Sequence, residues 1–257
     1  MPVDRSKDKA AASQRAIDVL FYFGEHKSLA SVKEIAQTLD LPIPTVHRYV
    51  AMLCRQGILA RSERGQYHLT AVVDSLSRAA RAGNNLISIA EPFMRELGAT
   101  IDETVVLAQL IDGDAICVHR VEASRRIRMT MENGMRLPPL RGATSKVLLG
   151  ALPQAVRDAH LERVFRAHPE FLRQRKVFVS EMLRAAAEGW ATSREEIDEG
   201  IWATAALISN GHDNAALTVP CPMFRLDDKV QLRIADEVRR TARHISDALA
   251  RERTRGG

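Results

Sequence analysis

Residues 31–55, SVKEIAQTLDLPIPTVHRYVAMLCR, decide how this chain is read. Val32, Ile35, Ala36 and Leu39 recur at i, i+3, i+4 and i+7, the spacing of one helical face. Ser31, with Glu34 three residues on, is a capping box that marks where this helix starts. Asp40, Leu41 and Pro42 end it, since proline cannot continue the hydrogen-bond ladder and holds Leu41 out of the helical region. A second helix is predicted from near Pro44, whose missing N–H would have had no intrahelical partner in the first turn. Val46, Val50 and Leu53 face the first helix, which leaves Thr45, His47, Arg48 and Arg55 along a polar, cationic edge. Two short helices joined by a tight turn, the second offering such an edge, are the parts of a helix-turn-helix, with Arg48 the first choice for reading a base.

On the N-terminal side, Ser13 is expected to cap a supporting helix through Ile17, Leu20 and Phe21, ending near Gly24. Residues 1–12 are polar and charged, lack the apolar run of a signal peptide, and are expected to form a disordered tail. On the C-terminal side, residues 58–61 and 66–69 look like two short strands around residues 62–65, a charged hairpin in the place of a wing. Arg61 and Arg64 at its tip are candidates for phosphate contact.

A chain of 257 residues with 46% hydrophobic content suits two domains with real cores. Its Lys and Arg number 37 against 32 Asp and Glu, and the pI of 9.4 favours a polyanionic partner. Cys54, Cys117 and Cys221 are scattered and odd in number, which argues against a disulfide framework and suits a reducing compartment. No apolar run approaches the ~20 residues of a membrane span. A soluble cytoplasmic protein without a membrane partner is the expectation.

The amphipathic stretch 71–82, ending at Gly83-Asn84, reads as a linker helix. The expected division is therefore a tail at 1–12, a winged helix-turn-helix at 13–70, a linker helix at 71–85 and a second domain at 86–252. In the last of these, a helix through Leu86, Ile89, Phe93 and Leu97 precedes strands at 104–110 and 115–121 around Asp112-Gly113-Asp114, a strong hairpin signal. A third strand is expected near 126–131, helices at 144–152, 154–165 and 181–188, and a hairpin from 201–209 and 215–219. Asp227 then caps a long helix with Val230, Ile234, Val238, Ile245 and Leu249 on one side. The fold class is α+β, with a mixed, largely antiparallel sheet flanked by helices.

Seven cations lie between Arg120 and Lys146, most of them expected at the surface. The loop at 134–139, leading into a helix at Ala143 and Thr144, offers free backbone N–H groups that favour a carboxylate, so a small organic acid is the expected ligand class. Catalysis and metal binding find no support. Cys117-x-His119 has no second Cys/His pair, no GxSxG, Walker or HExxH motif occurs, and Glu195-Glu196 reads as a solvated turn. Ser145 and Lys146 are adjacent on a helix and do not face each other. Neither cofactor nor metal is expected.

The segments SQRAIDVL at 13–20, LPIPTVHRYV at 41–50 and QYHL at 66–69 resemble the winged-helix domain of the IclR, or isocitrate-lyase regulator, family of bacterial transcription regulators. ETVVLAQL at 103–110, AICVHRVE at 115–122, RLPPLRGATSKVLLGALP at 136–153 and GWATSREEIDEGIWATAA at 189–206 are similar, in order and spacing, to its effector-binding domain. The resemblance implies a GAF-like second domain and an effector pocket carried over onto Met129, Leu137, Ala143, Thr144, Ser193, Ile201, Ala203, Thr218 and Pro220, to which Arg136 of the same loop is added. This sequence departs from the family at several places. Tyr49 stands where an aliphatic residue is usual and Pro44 where Ser is common. Ser193 stands where an Asp can occur in small-acid-binding members, Ala203 where a Cys can and Pro220 where a second Ser can, while Thr218 keeps the hydroxyl. Fewer polar partners argue for a larger, more apolar acid, aromatic in character, because an unpartnered buried polar atom costs about 1–3 kcal/mol.

The function expected is a sequence-specific regulator that binds double-stranded operator DNA as a homodimer or dimer of dimers (a homotetramer) and responds to a small organic acid. One rival is an acid-converting enzyme whose helix-turn-helix only mediates protein contacts. The other is a non-specific nucleic-acid module.

Overall fold

The computed structural model describes residues 5–76, 85–126, 128–129, 131–209 and 214–256. They fall into two compact units, Met1–Gly83 and Asn84–Gly257.

The first unit runs α1 (Arg5–Glu25), α2 (Val32–Thr38), α3 (Ile43–Arg55), β1 (Leu59–Arg61) and β2 (Tyr67–Leu69). Helix α1 starts well ahead of the expected Ser13 cap, so Ser13 lies inside it and residues 5–12, expected to be disordered, are helical. The reason is composition, since the Lys, Ala and Arg of this stretch are strong helix formers. Residues 1–4 lie outside the described residues. The capping box forms as expected, with the Ser31 hydroxyl accepting from the Glu34 N–H and the Glu34 carboxylate accepting from the Ser31 N–H. Helix α3 begins at Ile43, one residue before the expected Pro44, and the Pro42 carbonyl accepts from the Thr45 and Val46 N–H groups. Val19, Tyr22, Ile35, Val46, Val50 and Leu53 form one core between the three helices. Strands β1 and β2 pair antiparallel from Leu59↔Leu69 to Arg61↔Tyr67, and Tyr67 also exchanges hydrogen bonds with Ala30 ahead of α2. Of the expected linker helix, residues 72–76 are helical and residues 77–84 lie outside the described residues.

The second unit runs α4 (Asn85–Ile101), β3 (Val105–Ile111), β4 (Asp114–Val121), α5 (Gly142–Gly150), α6 (Gln154–Ala167), a 3-10 turn (Pro169–Gln174), α7 (Arg175–Glu188), β5 (Trp190–Arg194), β6 (Ile201–Ile208), β7 (Ala215–Pro222), a second 3-10 turn (Met223–Arg225) and α8 (Asp228–Gly256). The five strands lie in the order β4-β3-β7-β6-β5, and every described pairing is antiparallel rather than mixed. Parallel neighbours would need a helical crossover between adjacent strands, and here the adjacent pairs β3–β4, β5–β6 and β6–β7 are joined by short connections. The turn at Asp112-Gly113 has positive φ at both residues (55° and 89°), the geometry of a type I′ hairpin. Residues 210–213 of the other expected hairpin lie outside the described residues. The third strand expected at 126–131 does not form among the described residues there. That segment is held by isolated bonds instead, among them the Thr104 hydroxyl donating to the Met129 carbonyl at 2.9 Å.

Both faces of the sheet are covered. Val105, Leu107, Trp202, Leu217 and Val219 face α4 and α8, meeting Met94, Leu97, Ile234, Val238 and Ile245. Residues of opposite parity, Ala108, Ala191, Ala205 and Ala216, face α5 and α7 and meet Ala143, Val147, Leu148 and Ala185. Helix α7 starts at Arg175, ahead of the expected residue 181, and adds Phe178 and Met182 to a satellite core with Leu149, Leu161 and Phe165. Its contact with α5 is close enough to exclude a methyl group. A Cβ on Gly150 would lie 2.8 Å from the Met182 carbonyl oxygen and 3.1 Å from the Ala186 nitrogen, both backbone atoms that cannot swing away. Gly150→Ala is expected to destabilise the second unit by about 1–3 kcal/mol through overpacking, read as a lower urea midpoint at unchanged m-value.

Candidate DNA-binding face and effector site

Helix α3 has two faces because its apolar residues recur at the helical period. Val46, Tyr49, Val50 and Leu53 are buried, while Pro44, His47, Arg48, Ala51 and Arg55 are exposed at the i, i+3, i+4, i+7, i+11 spacing of a single stripe. Of the expected DNA contacts, His47, Arg48 and Arg55 therefore share one solvent-facing ridge, and Thr45 is half-buried beside it. Arg61 and Arg64 are exposed on the wing. Gly65, with φ of 76°, closes the tip as its N–H bonds the Ser62 carbonyl, and the Arg61 guanidinium lies over it. Tyr49 is 5% exposed, so it packs, as its sequence context suggests. Its hydroxyl nonetheless reaches the edge of the ridge and accepts a hydrogen bond from Arg48 Nη2 at 3.1 Å.

In the second unit, sheet register does what linear sequence cannot. Ser193, Ala203 and Pro220 are direct neighbours across β5, β6 and β7, and Ile201 and Thr218 lie two residues along their strands on the same face. Pro220 lies past the last β3–β7 register pair, Val106↔Thr218, where its missing N–H is tolerated. Helix α5 packs over this face. Its Thr144 hydroxyl lies 2.9 Å from the Thr218 hydroxyl, both side chains buried, and Ala143 and Leu137 join the same apolar cluster. Eight of the ten expected effector-site residues are thus gathered between the sheet and the start of α5. Met129 is half-buried and tied to β3 by its carbonyl through Thr104, a buried residue that sequence reading passed over.

Arg136 is not part of the group. Its backbone bridges Ile116 at the outer side of β4, and its guanidinium pairs with Asp114. Four other cations of this stretch are also engaged. Arg120 pairs with Glu122 at 2.7 Å and Glu132 at 3.0 Å, Arg128 with Glu122 at 2.9 Å, and Arg125 with Asp102 at 3.1 Å. Arg141 lies 4.5 Å over the Phe171 ring.

Lys146 is the surprise of this stretch, because it is 2% exposed. Its ammonium pairs with Glu181 of α7 at 2.7 Å and with Glu196, and donates to the Thr192 carbonyl at 3.3 Å. A buried charge needs such partners, since an isolated one is strongly disfavoured in the interior. Glu196 is therefore no solvated turn residue. Its second oxygen accepts from the Gly142 N–H at 3.0 Å, capping α5 in place of the Arg141 side chain, which makes no cap bond. The helix N-terminus that the sequence offers to a ligand carboxylate already holds one at its first N–H. Beside this cluster lies an open cavity of 510 Å³ lined by Arg141, Arg173, Val177, Phe178 and Glu195, and none of the ten expected effector-site residues lines it. Burial pushes the thiols of Cys117 and Cys221 up, to about 11 and about 12, so both stay protonated. Among the described residues, no cluster of His, Cys, Asp and Glu could hold a metal ion.

Comparison with known proteins fits this two-part geometry. Residues 12–63 match the model of the IclR helix-turn-helix domain, and residues 79–247 match that of the bacterial transcriptional regulator IclR C-terminal domain. The chain belongs to the IclR family of bacterial transcriptional regulators. It is 27% identical over 223 residues to the HTH-type transcriptional regulator TtgV of Pseudomonas putida, covering 84% of this chain and 85% of that one. It is 28% identical over 248 residues to the HTH-type transcriptional repressor AllR of Escherichia coli K12, covering 93% and 90%. These relatives are regulators, not enzymes. An IclR-family regulator of Brucella abortus superposes with a TM-score of 0.74 at 23% identity, covering 93% of this chain and 92% of that one. The IclR of Thermotoga maritima does so at 0.71 and 20%, covering 94% and 99%. Among the described residues, no helix is long and apolar enough to cross a membrane.

The capping box also carries a titration. Hydrogen bonding from Lys27, joined by the Ser31 N–H and hydroxyl, holds the Glu34 carboxyl at about 2, below its ordinary 4.5. A carboxyl depressed on folding contributes stability that is complete above its unfolded value and fades as pH falls through the folded one. The stability gap between the wild type and Glu34→Gln should therefore be constant above pH 4.5 and shrink between pH 4.5 and 2, as measured by chemical denaturation at a series of pH values.

Proposed function

We propose that this chain is a ligand-responsive, operator-specific regulator that acts as a dimer or a dimer of dimers. The observation that carries the reading is the exposed ridge of α3, with Arg48 and His47 at its N-terminal half and Arg55 at its end. A recognition helix enters the major groove with its N-terminal residues against base edges, and arginine is the commonest bidentate reader of guanine. Arg48 reads a base, His47 and Thr45 flank it, and Arg55, Arg61 and Arg64 hold phosphates. One such helix spans only a few base pairs, so two copies are needed, with half-sites about 10 base pairs apart or a multiple of that. Ile17 and Phe21, one turn apart on α1 and 45% and 58% exposed, support pairing through this helix.

The effector is a small organic acid with an apolar, aromatic body. Support comes from the sheet face itself, where Ile201, Ala203 and Pro220 supply apolar surface and the Thr144–Thr218 hydroxyl pair a polar end. Gly142 is already capped by Glu196, so the acid head meets the hydroxyl pair and the N–H groups further into the first turn of α5, which have no intrahelical acceptor. An IclR homolog of Microbacterium hydrocarbonoxydans, 22% identical with a TM-score of 0.76, has been solved with 4-hydroxybenzoate, an acid of this kind. The ligand acts by binding one dimer geometry better than another, which shifts the population able to span the operator. The setting is the cytoplasm.

Two experiments test this. Against a duplex selected by the protein from a random library, Arg48→Ala should lower the affinity about ten- to a hundredfold, the worth of one bidentate base contact, while binding to scrambled DNA at the same salt changes little. Equal discrimination by the mutant removes Arg48 from reading. In a thermal-shift panel of carboxylic acids, aromatic acids should stabilise the protein by about 2.7 kcal/mol at a hundred times Kd, and Thr218→Val should weaken them. Tight binding of pyruvate or glyoxylate, with no response to aromatic acids, would reverse the assignment of ligand class.

A further inference from the structure

Arginine reads DNA well only when its planar fork is held at the right angle, and a long side chain free in solvent loses rotamer freedom when it docks. The surface of α3 addresses this at Arg48. The guanidinium lies 5.0 Å from the centroid of the Tyr49 ring and donates from Nη2 to the Tyr49 hydroxyl at 3.1 Å. The tyrosine is itself fixed, because its ring is 5% exposed and belongs to the core formed by Tyr22, Ile35, Val46 and Val50. A phenol whose ring is locked by packing can only present its oxygen at one place. Arginine carries five N–H donors, so one bond to the phenol leaves an edge of the fork for a base.

We infer that Tyr49 is a positioning residue for DNA reading, holding the Arg48 guanidinium pre-aimed by one hydrogen bond and one ring contact. This inference rests on the reading of α3 as the DNA face and deepens it. Phenylalanine at position 49 would fill the core equally well and leave Arg48 without its hydrogen bond. The phenol therefore adds to recognition and not to folding. Its contribution is confined to the specific complex, since contacts to phosphates tolerate a mobile cation and base edges do not.

The test uses the full-length protein and the duplex that the wild type selects from a random library. Affinities for that duplex and for a scrambled one are measured over a range of salt for wild type, Tyr49→Phe, Arg48→Ala and the double variant, together with thermal midpoints. Tyr49→Phe keeps the ring and removes only the oxygen. It should weaken the selected duplex about three- to tenfold, the size of one ordinary hydrogen bond. Scrambled-duplex affinity, salt slope and thermal midpoint should not move, and the loss should vanish in the Arg48→Ala background. A sensitive Arg48→Ala with an indifferent Tyr49→Phe overturns the role of Tyr49 alone, as does a Tyr49→Phe loss that persists in the double variant. An Arg48→Ala protein that binds like wild type defeats the reading of α3, and the positioning role falls with it.

Discussion

Burial of Val46, Tyr49, Val50 and Leu53 is the constraint on which the first unit depends. Once these four side chains are taken into the core, each contributing about 1.5–3 kcal/mol, the rotation of α3 about its axis is fixed. The residues left for solvent are then a consequence, not a separate design. Pro44, His47, Arg48, Ala51 and Arg55 form a ridge because they are what remains when the period-3.6 stripe is subtracted. The capping box at Ser31 and the proline turn at Pro42 set where α2 stops and α3 starts, and so which residue heads the ridge.

The second unit is governed by a different constraint, a sheet with helices on both faces. Such a sheet must hide every residue of its central strand, and β7 is buried along its whole length. On the α4–α8 side the solution is bulk, with Trp202, Leu217 and Val219 against large aliphatic side chains. Facing α5 it is smallness, with alanines on the strands and Gly150 at the crossing with α7. Lys146 is the exception inside this packing. Its two carboxylates come from different elements, so one buried ammonium ties α5 to α7 and to the β5–β6 loop. Ile197 of that loop reinforces the tie, because a side chain on Gly142 would collide with it. The start of α5 is thereby pinned from outside while its inner side faces Thr218.

Much of this was legible from residue order. The capping box, both helices of the reader, the wing and the type I′ turn at Asp112-Gly113 are local signals, each carried by residues within a few positions of one another. Where local signals fail, the reason is equally physical. Ser13 looked like a cap, yet the helix formers before it extend α1 back to Arg5. The β-branched and apolar residues near 126–131 looked like a strand, but no neighbouring strand pairs with the described ones, and a strand is made by its partner. Arg136 sits in the right loop and turns to Asp114 instead.

Sequence by itself determined the helix-turn-helix, its cationic edge and the family, because helical periodicity and capping are short-range and survive without knowledge of the fold. Tertiary structure alone decided which residues of the second unit meet. Register set Ser193 beside Ala203 and Pro220, packing brought Thr144 to Thr218 across 74 residues, and folding paired the buried Lys146 with the half-buried Glu181 and Glu196. These encounters depend on strand pairing and on the depth at which a charge is buried, and neither is written in the spacing of residues along the chain.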